Sequence, residues 1–270
     1  MHISDGILSW PWLVGGWAGA ILLLALTCRR VSDEMIPKLG TMTAAFFAGS
    51  QLHVKLAGLT TVHLLMNGAI GVRLGRLAVP AIFVGLAFQL LFFAHGGWTT
   101  LGMNVVIYSL PSLAAGLAAS GLRRRGYRLP KVIRSVAVLT GTCACVAAAG
   151  WAIERTWAWD WGLEIWIAIA AGIGIVSTLL EILLLHEPVF ACGFWIGGLT
   201  ALATVALNVA VIAFGASQAT ANLAGLIFAA HIPIIVVEAL LTGTMLAFIV
   251  AVAPQRTDVT SEISSNGTSH

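Results

Sequence analysis

The first two residues can act as a chelate. A free α-amine on Met1, the Met1–His2 peptide nitrogen and the His2 imidazole close two adjacent rings around one metal ion. Displacing the peptide proton takes a strongly polarising ion. The planar nitrogen set that results suits Ni(II) or Cu(II), and Co(II) can also accept it. One further nitrogen would complete a four-coordinate plane. His53 and His63, joined by a connection that holds Gly58, Thr60 and Thr61, are the candidate fourth donors. His95 precedes the run Gly96-Gly97-Trp98-Thr99-Thr100 and lies at another helix end. An imidazole at a membrane surface can also simply be solvated, so spacing alone leaves His53 and His63 both open. Chain termini are normally mobile, and a terminal chelate works only if Met1 to Asp5 is drawn into the protein. Glu238 is the other conspicuous group, the only charge between Ile232 and Val252. A carboxylate there is expected to be protonated or paired, either bonding a neighbouring helix or relaying an ion.

The elements that must position these groups are membrane helices. Of the 270 residues, 59% are hydrophobic and 9% charged, against roughly 25% charged in soluble domains. The uncharged runs Leu77 to Leu122 and Pro188 to Val237 far exceed the ~18 apolar residues that signal a membrane span. A water-soluble enzyme, a nucleic-acid binder and a disordered protein are excluded; the chain is expected to be an all-α, polytopic transmembrane bundle. Breaks in the apolar pattern divide it into nine candidate spans, at 11–28, 36–53, 62–77, 78–95, 101–121, 131–152, 165–185, 192–214 and 222–252. The third is short for a full crossing and reads as a half-helix supported by protein neighbours.

Charge sets the expected orientation. With the amino terminus outside, Arg29, Arg30, Lys38, Arg73, Arg76, Arg123, Arg124, Arg125, Arg128, Lys131, Arg134 and Arg256 face the cytoplasm, and only Lys55 and Arg155 lie outside. That asymmetry is the positive-inside pattern. No basic residue precedes Arg29, so no cleavable signal peptide is evident and Met1 is expected to be retained. Residues 1–256 read as one membrane domain, and 257–270, rich in Ser and Thr, as a disordered cytoplasmic tail. The four cysteines, Cys28, Cys143, Cys145 and Cys192, read as membrane-packed thiols. Ala44, Ala45, Ala48 and Gly49 make a doubled small-xxx-small pattern on the second span, suited to close helix packing within the chain or against another subunit. There is no phosphate loop for ATP hydrolysis. His186-Glu187-Pro188 lacks the second histidine of a metalloprotease helix, and Cys143-x-Cys145 has no paired histidines at zinc spacing.

Four ordered segments resemble the CbiM/NikM family, the substrate-binding membrane components (S components) of cobalt and nickel energy-coupling factor (ECF) transporters. They are Met1-His2-Ile3-Ser4-Asp5-Gly6, Gly58-Leu59-Thr60-Thr61-Val62-His63, His95-Gly96-Gly97-Trp98-Thr99-Thr100-Leu101-Gly102-Met103-Asn104, and His231-Ile232-Pro233 followed by Glu238 and Thr242. The resemblance implies a square-planar site made by the Met1 amine, the His2 amide and imidazole nitrogens, and His63 rather than His53. His95 and Asn104 become supporting residues, with Asp5 and His53 further candidates around the ligands. The same resemblance implies partners: a transmembrane coupling subunit (CbiQ/NikQ-like), cytoplasmic ATPases (CbiO/NikO-like) and a small accessory membrane subunit (CbiN/NikN-like). The family pattern has a single helix between the Asn104 span and the last one. Three candidate spans occupy that interval here, and 131–186 is expected to be an inserted helical hairpin.

The expected function is therefore non-enzymatic: capture of Co2+ or Ni2+ at the outer face of the cell (inner) membrane, with partner subunits hydrolysing ATP. The alternative is a self-sufficient, ion-coupled secondary transporter with Glu238 as relay. It would need a second mid-span carboxylate or an inverted repeat, and neither is visible. An intramembrane metalloenzyme would need an open, water-bearing metal position and a base, for which Asp5 is the only nominee.

Overall fold

The computed structural model describes residues 2–29, 31–56, 60–127, 172, 187–221 and 224–252. The expected hairpin at 131–186, apart from Gly172, and the tail at 257–270 lie outside the described residues, as do Cys143 and Cys145.

Residues 2–9 form a strap with a turn at Asp5-Gly6 ahead of helix α1 (Trp10–Thr27), which starts with Pro11 in its first turn. Proline suits that position because it has no amide proton to leave unpaired. Helix α2 (Ile36–Ser50) leads into an antiparallel hairpin of β1 (His53–Leu56) and β2 (Thr60–His63). Helix α3 (Asn67–Leu74) follows and ends at Gly75, whose φ of +57° only glycine adopts without strain. Helices α4 (Ala78–Phe93) and α5 (Leu101–Arg124) come next. After the undescribed interval, α6 (Pro188–Gly215), the four-residue α7 (Gln218–Ala221) and α8 (Ala224–Val252) complete the chain.

The chain is mostly helical, as its composition predicts. Five stretches among the described residues are long and apolar enough to cross a membrane: Trp10–Thr27, Asn67–Phe93, Leu101–Arg124, Pro188–Gly215 and Ile227–Val252. Two expected spans take other shapes. The second forms a helix of only 15 residues. The third, expected as a half-helix over 62–77, has strand residues at its start and an eight-residue helix at its end. Thr60, Thr61 and Val62 are β-branched and favour an extended backbone, and α3 is only about 12 Å long at 1.5 Å per residue. Within α3, Asn67, Gly68, Ala69, Ile70, Gly71 and Leu74 are all buried.

Close approach of helices brackets this segment. A Cβ on Gly197 of α6 would lie 2.6 Å from the Glu238 carbonyl oxygen of α8, so that crossing requires glycine. The apolar core runs through Ile3, Leu8, Phe46, Leu65, Ile70, Ile82, Tyr108 and Val205. Two of these belong to the strap. Burying a side chain the size of isoleucine stabilises by ~1.5–3 kcal/mol, and Ile3 is 1% exposed. Leu8 adds a β-bridge to Ala216, and the Ser9 amide donates to the Gly215 carbonyl at 3.0 Å. The strap is thus docked at the end of the bundle where α4 and α6 stop and α5 begins. Arg29, Arg76, Arg123 and Arg124 sit at the opposite end, where an Arg76 guanidinium nitrogen donates to the Arg29 carbonyl.

Candidate metal centre

The strap is held by the segment between α4 and α5. Asn104 grips the Ile3 backbone from both sides: the Ile3 amide donates to its Oδ1 at 3.0 Å, and its Nδ2 donates to the Ile3 carbonyl at 3.0 Å. The Thr100 hydroxyl donates to the same carbonyl at 2.6 Å. Two residues along the strap, Asp5 accepts from the amides of Trp98 (3.0 Å), Thr99 (2.9 Å) and Thr100 (3.3 Å) and from the Thr99 hydroxyl. A carboxylate on these amides caps the start of α5 from outside the helix, where the helix dipole favours negative charge. The Thr99 hydroxyl holds the Asp5 carboxyl below the ordinary aspartate value, and the three amides act in the same direction. Gly97 makes room for this contact, because a Cβ there would sit within 2.5 Å of the Asp5 amide nitrogen. Gly96 takes φ +90°. Gly97, Trp98, Thr99, Thr100 and Asn104 of the run thus receive the amino-terminal strap.

With Ile3 and Asp5 fixed, His2 has little freedom. Its ring stacks on His63 with centroids 4.8 Å apart and an interplanar angle of 25°. It also stacks on Tyr108 at 5.5 Å and 23°, and lies 6.2 Å from the His95 ring. His63 is 2% exposed, and its Nδ1 lies 2.9 Å from the Leu64 carbonyl. That contact makes Nδ1 the protonated nitrogen and leaves Nε2 as a lone-pair donor. Burial pushes the His2 imidazole well below the ordinary histidine value, and the neighbouring His63 and His95 rings push the same way. A neutral imidazole is the form that binds metals. Metal–nitrogen bonds are ~2 Å long, so rings with centroids 4.8 Å apart are near enough for one ion to reach both. Among the described residues, no three His, Cys, Asp and Glu side chains are grouped to hold a metal by themselves.

Glu238, the relay of the alternative reading, bonds the segment that carries His63. Its Oε1 accepts from the amides of Leu65 (2.6 Å) and Met66 (2.9 Å), and Oε2 accepts from Met66 at 3.0 Å. It is fully buried and caps α3 from across the bundle. Asn67, one residue on, donates from Nδ2 to the Tyr108 carbonyl and the Thr204 hydroxyl. Asp5 and Glu238 thus do parallel work. Each carboxylate caps a helix, and each contact ties a histidine-bearing segment to the bundle.

The remaining expected residues are Met1, His53 and the small residues of α2. Met1 is not among the described residues, although the peptide nitrogen of the chelate is that of His2 itself. His53 is the cross-strand backbone partner of His63 in the hairpin. On α2, the stripe of small residues divides: Gly49 faces Met66, while Ala44 and Ala48 are exposed and Ala45 is half-buried. Sequence reasoning passed over Gln89, Tyr108, Thr99 and Thr100 as individual contributors. Gln89 had a signal, being the only polar side chain in α4.

Comparison with known proteins follows the same lines. The family described as the cobalt uptake substrate-specific transmembrane region, CbiM, matches residues 2–173. The cobalt transport protein CbiM of Geobacter sulfurreducens is 38% identical over 136 residues, covering 47% of this chain and 39% of that protein. The fused nickel transport protein NikMN of Rhodobacter capsulatus is 32% identical over 130 residues, covering 46% and 38%. A Methanocorpusculum labreanum protein, whose name describes a fused cobalt transport protein CbiMQ, is 35% identical over 161 residues, covering 55% and 25%. The matches thus span about half or less of these relatives' own lengths. A crystal structure described as a transition metal transporter aligns over 100% of both chains with a TM-score of 0.54 and 18% identity, a likeness of fold alone. The matched family region takes in the strap, the hairpin and the His95–Asn104 receptor together. This chain belongs to the CbiM family of cobalt uptake substrate-specific transmembrane regions.

Proposed function

We propose that this chain is the substrate-capture membrane subunit of an ATP-driven ECF-type importer for Co2+ or Ni2+. The ion is the cargo, taken at the outer face of the cell membrane by the Met1 amine, the His2 amide and imidazole nitrogens, and His63. The observation that carries the reading is the stacking of the His2 ring on buried His63 at 4.8 Å, with Ile3 clasped by Asn104 and Thr100. A chain terminus left to itself would not adopt this arrangement. Tucked in, it offers a planar nitrogen set, which Ni(II) fits through its preference for tetragonal geometry.

Direction and partners follow from the same reading. The basic ends of α1 and α5 face the cytoplasm by the positive-inside rule, which puts the strap outside; Trp10 and Trp98, 73% and 60% exposed, suit the outer interface. A CbiQ/NikQ-like coupling subunit, CbiO/NikO-like ATPases and a CbiN/NikN-like accessory subunit complete the importer. Fusion of M with Q and of M with N in relatives supports the first and the last. Exposed Ala44 and Ala48 give α2 a close-packing face for such a subunit. Occupation of both Glu238 oxygens by backbone amides favours a structural task over a relay.

The test is metal content and absorption spectrum of the purified chain. The wild type is expected to bind one Ni2+ or Co2+ with a planar-nitrogen absorption band. His2→Ala, His63→Ala and amino-terminal acetylation are each expected to abolish that band. An acetylated protein with unchanged affinity would refute the chelate. Uptake into vesicles holding this chain alone, driven by a proton gradient, would replace the importer reading with the secondary transporter.

A further inference from the structure

Gln89 is fully buried in α4, where every other side chain is apolar. Neither its Nε2 nor its Oε1 makes a hydrogen bond of good geometry among the described residues, yet the carboxamide lies close enough to the His2 ring to act on it as a hydrogen-bonding group. The Nε2 of His2 is likewise buried and unpartnered there. Folded proteins pair almost all such atoms, so three orphaned polar atoms side by side call for a reason.

The chelate supplies one. Rings that start at the Met1 amine and pass through the His2 amide nitrogen close onto the imidazole through Cα, Cβ, Cγ and Nδ1, so the metal takes Nδ1. The proton then resides on Nε2, which becomes a donor in a buried site and needs an acceptor. Two neighbouring rings serve poorly: Tyr108 is stacked against the imidazole at an interplanar angle of 23°, and the Nδ1 of His63 is committed to the Leu64 carbonyl. We infer that Gln89 is a positioning residue of the metal site, its carboxamide oxygen accepting the Nε2–H of His2 once Nδ1 holds the ion. An uncharged acceptor orients the ring and leaves the proton in place. The inference rests on the proposed function and names a residue outside the ligand set.

The experiment uses the full chain in detergent with Ni2+ as the only added ligand. Affinity is read by chelator competition, the ligand field by absorption, and the fold by thermal melting of the metal-free protein. Gln89→Leu is expected to keep the planar band and bind Ni2+ about 10- to 100-fold more weakly. Its metal-free melting temperature is expected to be equal or higher, since the orphaned amide is gone. That pair of opposite changes would not arise from a role in packing alone. Gln89→Glu, a stronger acceptor, is expected to bind more tightly than wild type and to shift the band; it decides the matter if the leucine variant does not fold. Wild-type affinity and spectrum in either variant overturn the inference. If His2→Ala removes binding while Gln89→Leu leaves it intact, only Gln89's role falls. If His2→Ala binds as well as wild type, the proposed function falls with it.

Discussion

Replacing Asn104 with alanine removes both of its grips on Ile3, and the two ends of the contact fare differently. The Ile3 carbonyl keeps the Thr100 hydroxyl at 2.6 Å. The Ile3 amide loses its Oδ1 acceptor at 3.0 Å, in a residue only 1% exposed. An orphaned buried amide costs about 1–3 kcal/mol, and each 1.4 kcal/mol is roughly tenfold in an equilibrium constant. Docking of the strap should therefore weaken by about 5- to 150-fold. Hydrogen exchange of the amino-terminal peptide in the metal-free protein reads that change directly, as faster exchange of the Ile3–Asp5 amides. Ni2+ affinity should fall by no more than the same factor, because undocked chains are a population that cannot bind. Thr100→Val is the companion variant, leaving the Asn104 bonds to Ile3 in place and so producing a smaller change. Unchanged exchange and affinity in Asn104→Ala would mean that the clasp does not hold the chelate, and the reasoning from strap to site would be wrong.

Gly97→Ala should weaken metal capture and speed exchange of the strap while leaving the bundle's melting temperature nearly unchanged, since its Cβ meets Asp5 and no core residue is displaced. Glu238→Ala orphans the buried Leu65 amide and should destabilise the fold by at least about 1–3 kcal/mol, read as a lower melting temperature. Glu238→Gln keeps an acceptor, so it should cost less and preserve metal binding, whereas a relay would lose transport. Strap docking should weaken as pH falls. The docked His2 prefers its neutral form, so its contribution is complete above the ordinary value of ~6.5 and is lost below it, by up to tenfold per pH unit. Asp5, held low by Thr99, stays ionised in that window, so hydrogen exchange between pH 5 and 8 reports the imidazoles of the site and not the carboxylate.

Composition was enough to assign the chain to the membrane, because hydrophobic runs of this length have no other solvent. Residue type was enough to nominate His2, His53, His63, His95 and Glu238, because few side chains can ligate or carry charge inside an apolar bundle; the family resemblance preferred His63 to His53 and added Asn104. The third span shows where local pattern runs out. The strand that runs into it, Thr60–His63, is only four residues, too short for a two-residue period to stand out against apolar helices, and α3 takes its burial from neighbours distant in sequence.

The division of labour around the site has the same origin. The motif from His95 to Asn104 was visible as a string of letters, but its function as a receptor depends on Ile3 and Asp5 lying against it, about a hundred residues away in sequence. Gln89 and Tyr108 acquire significance only because the docked strap brings His2 beside them. Glu238 is a helix cap and not a lone buried charge only because the amides of Leu65 and Met66 reach it. A sequence specifies which groups can donate, accept or ligate. Which of them meet is settled by packing of helices, since hydrogen bonds and ligand sets are short-ranged and the chain separating their members is long.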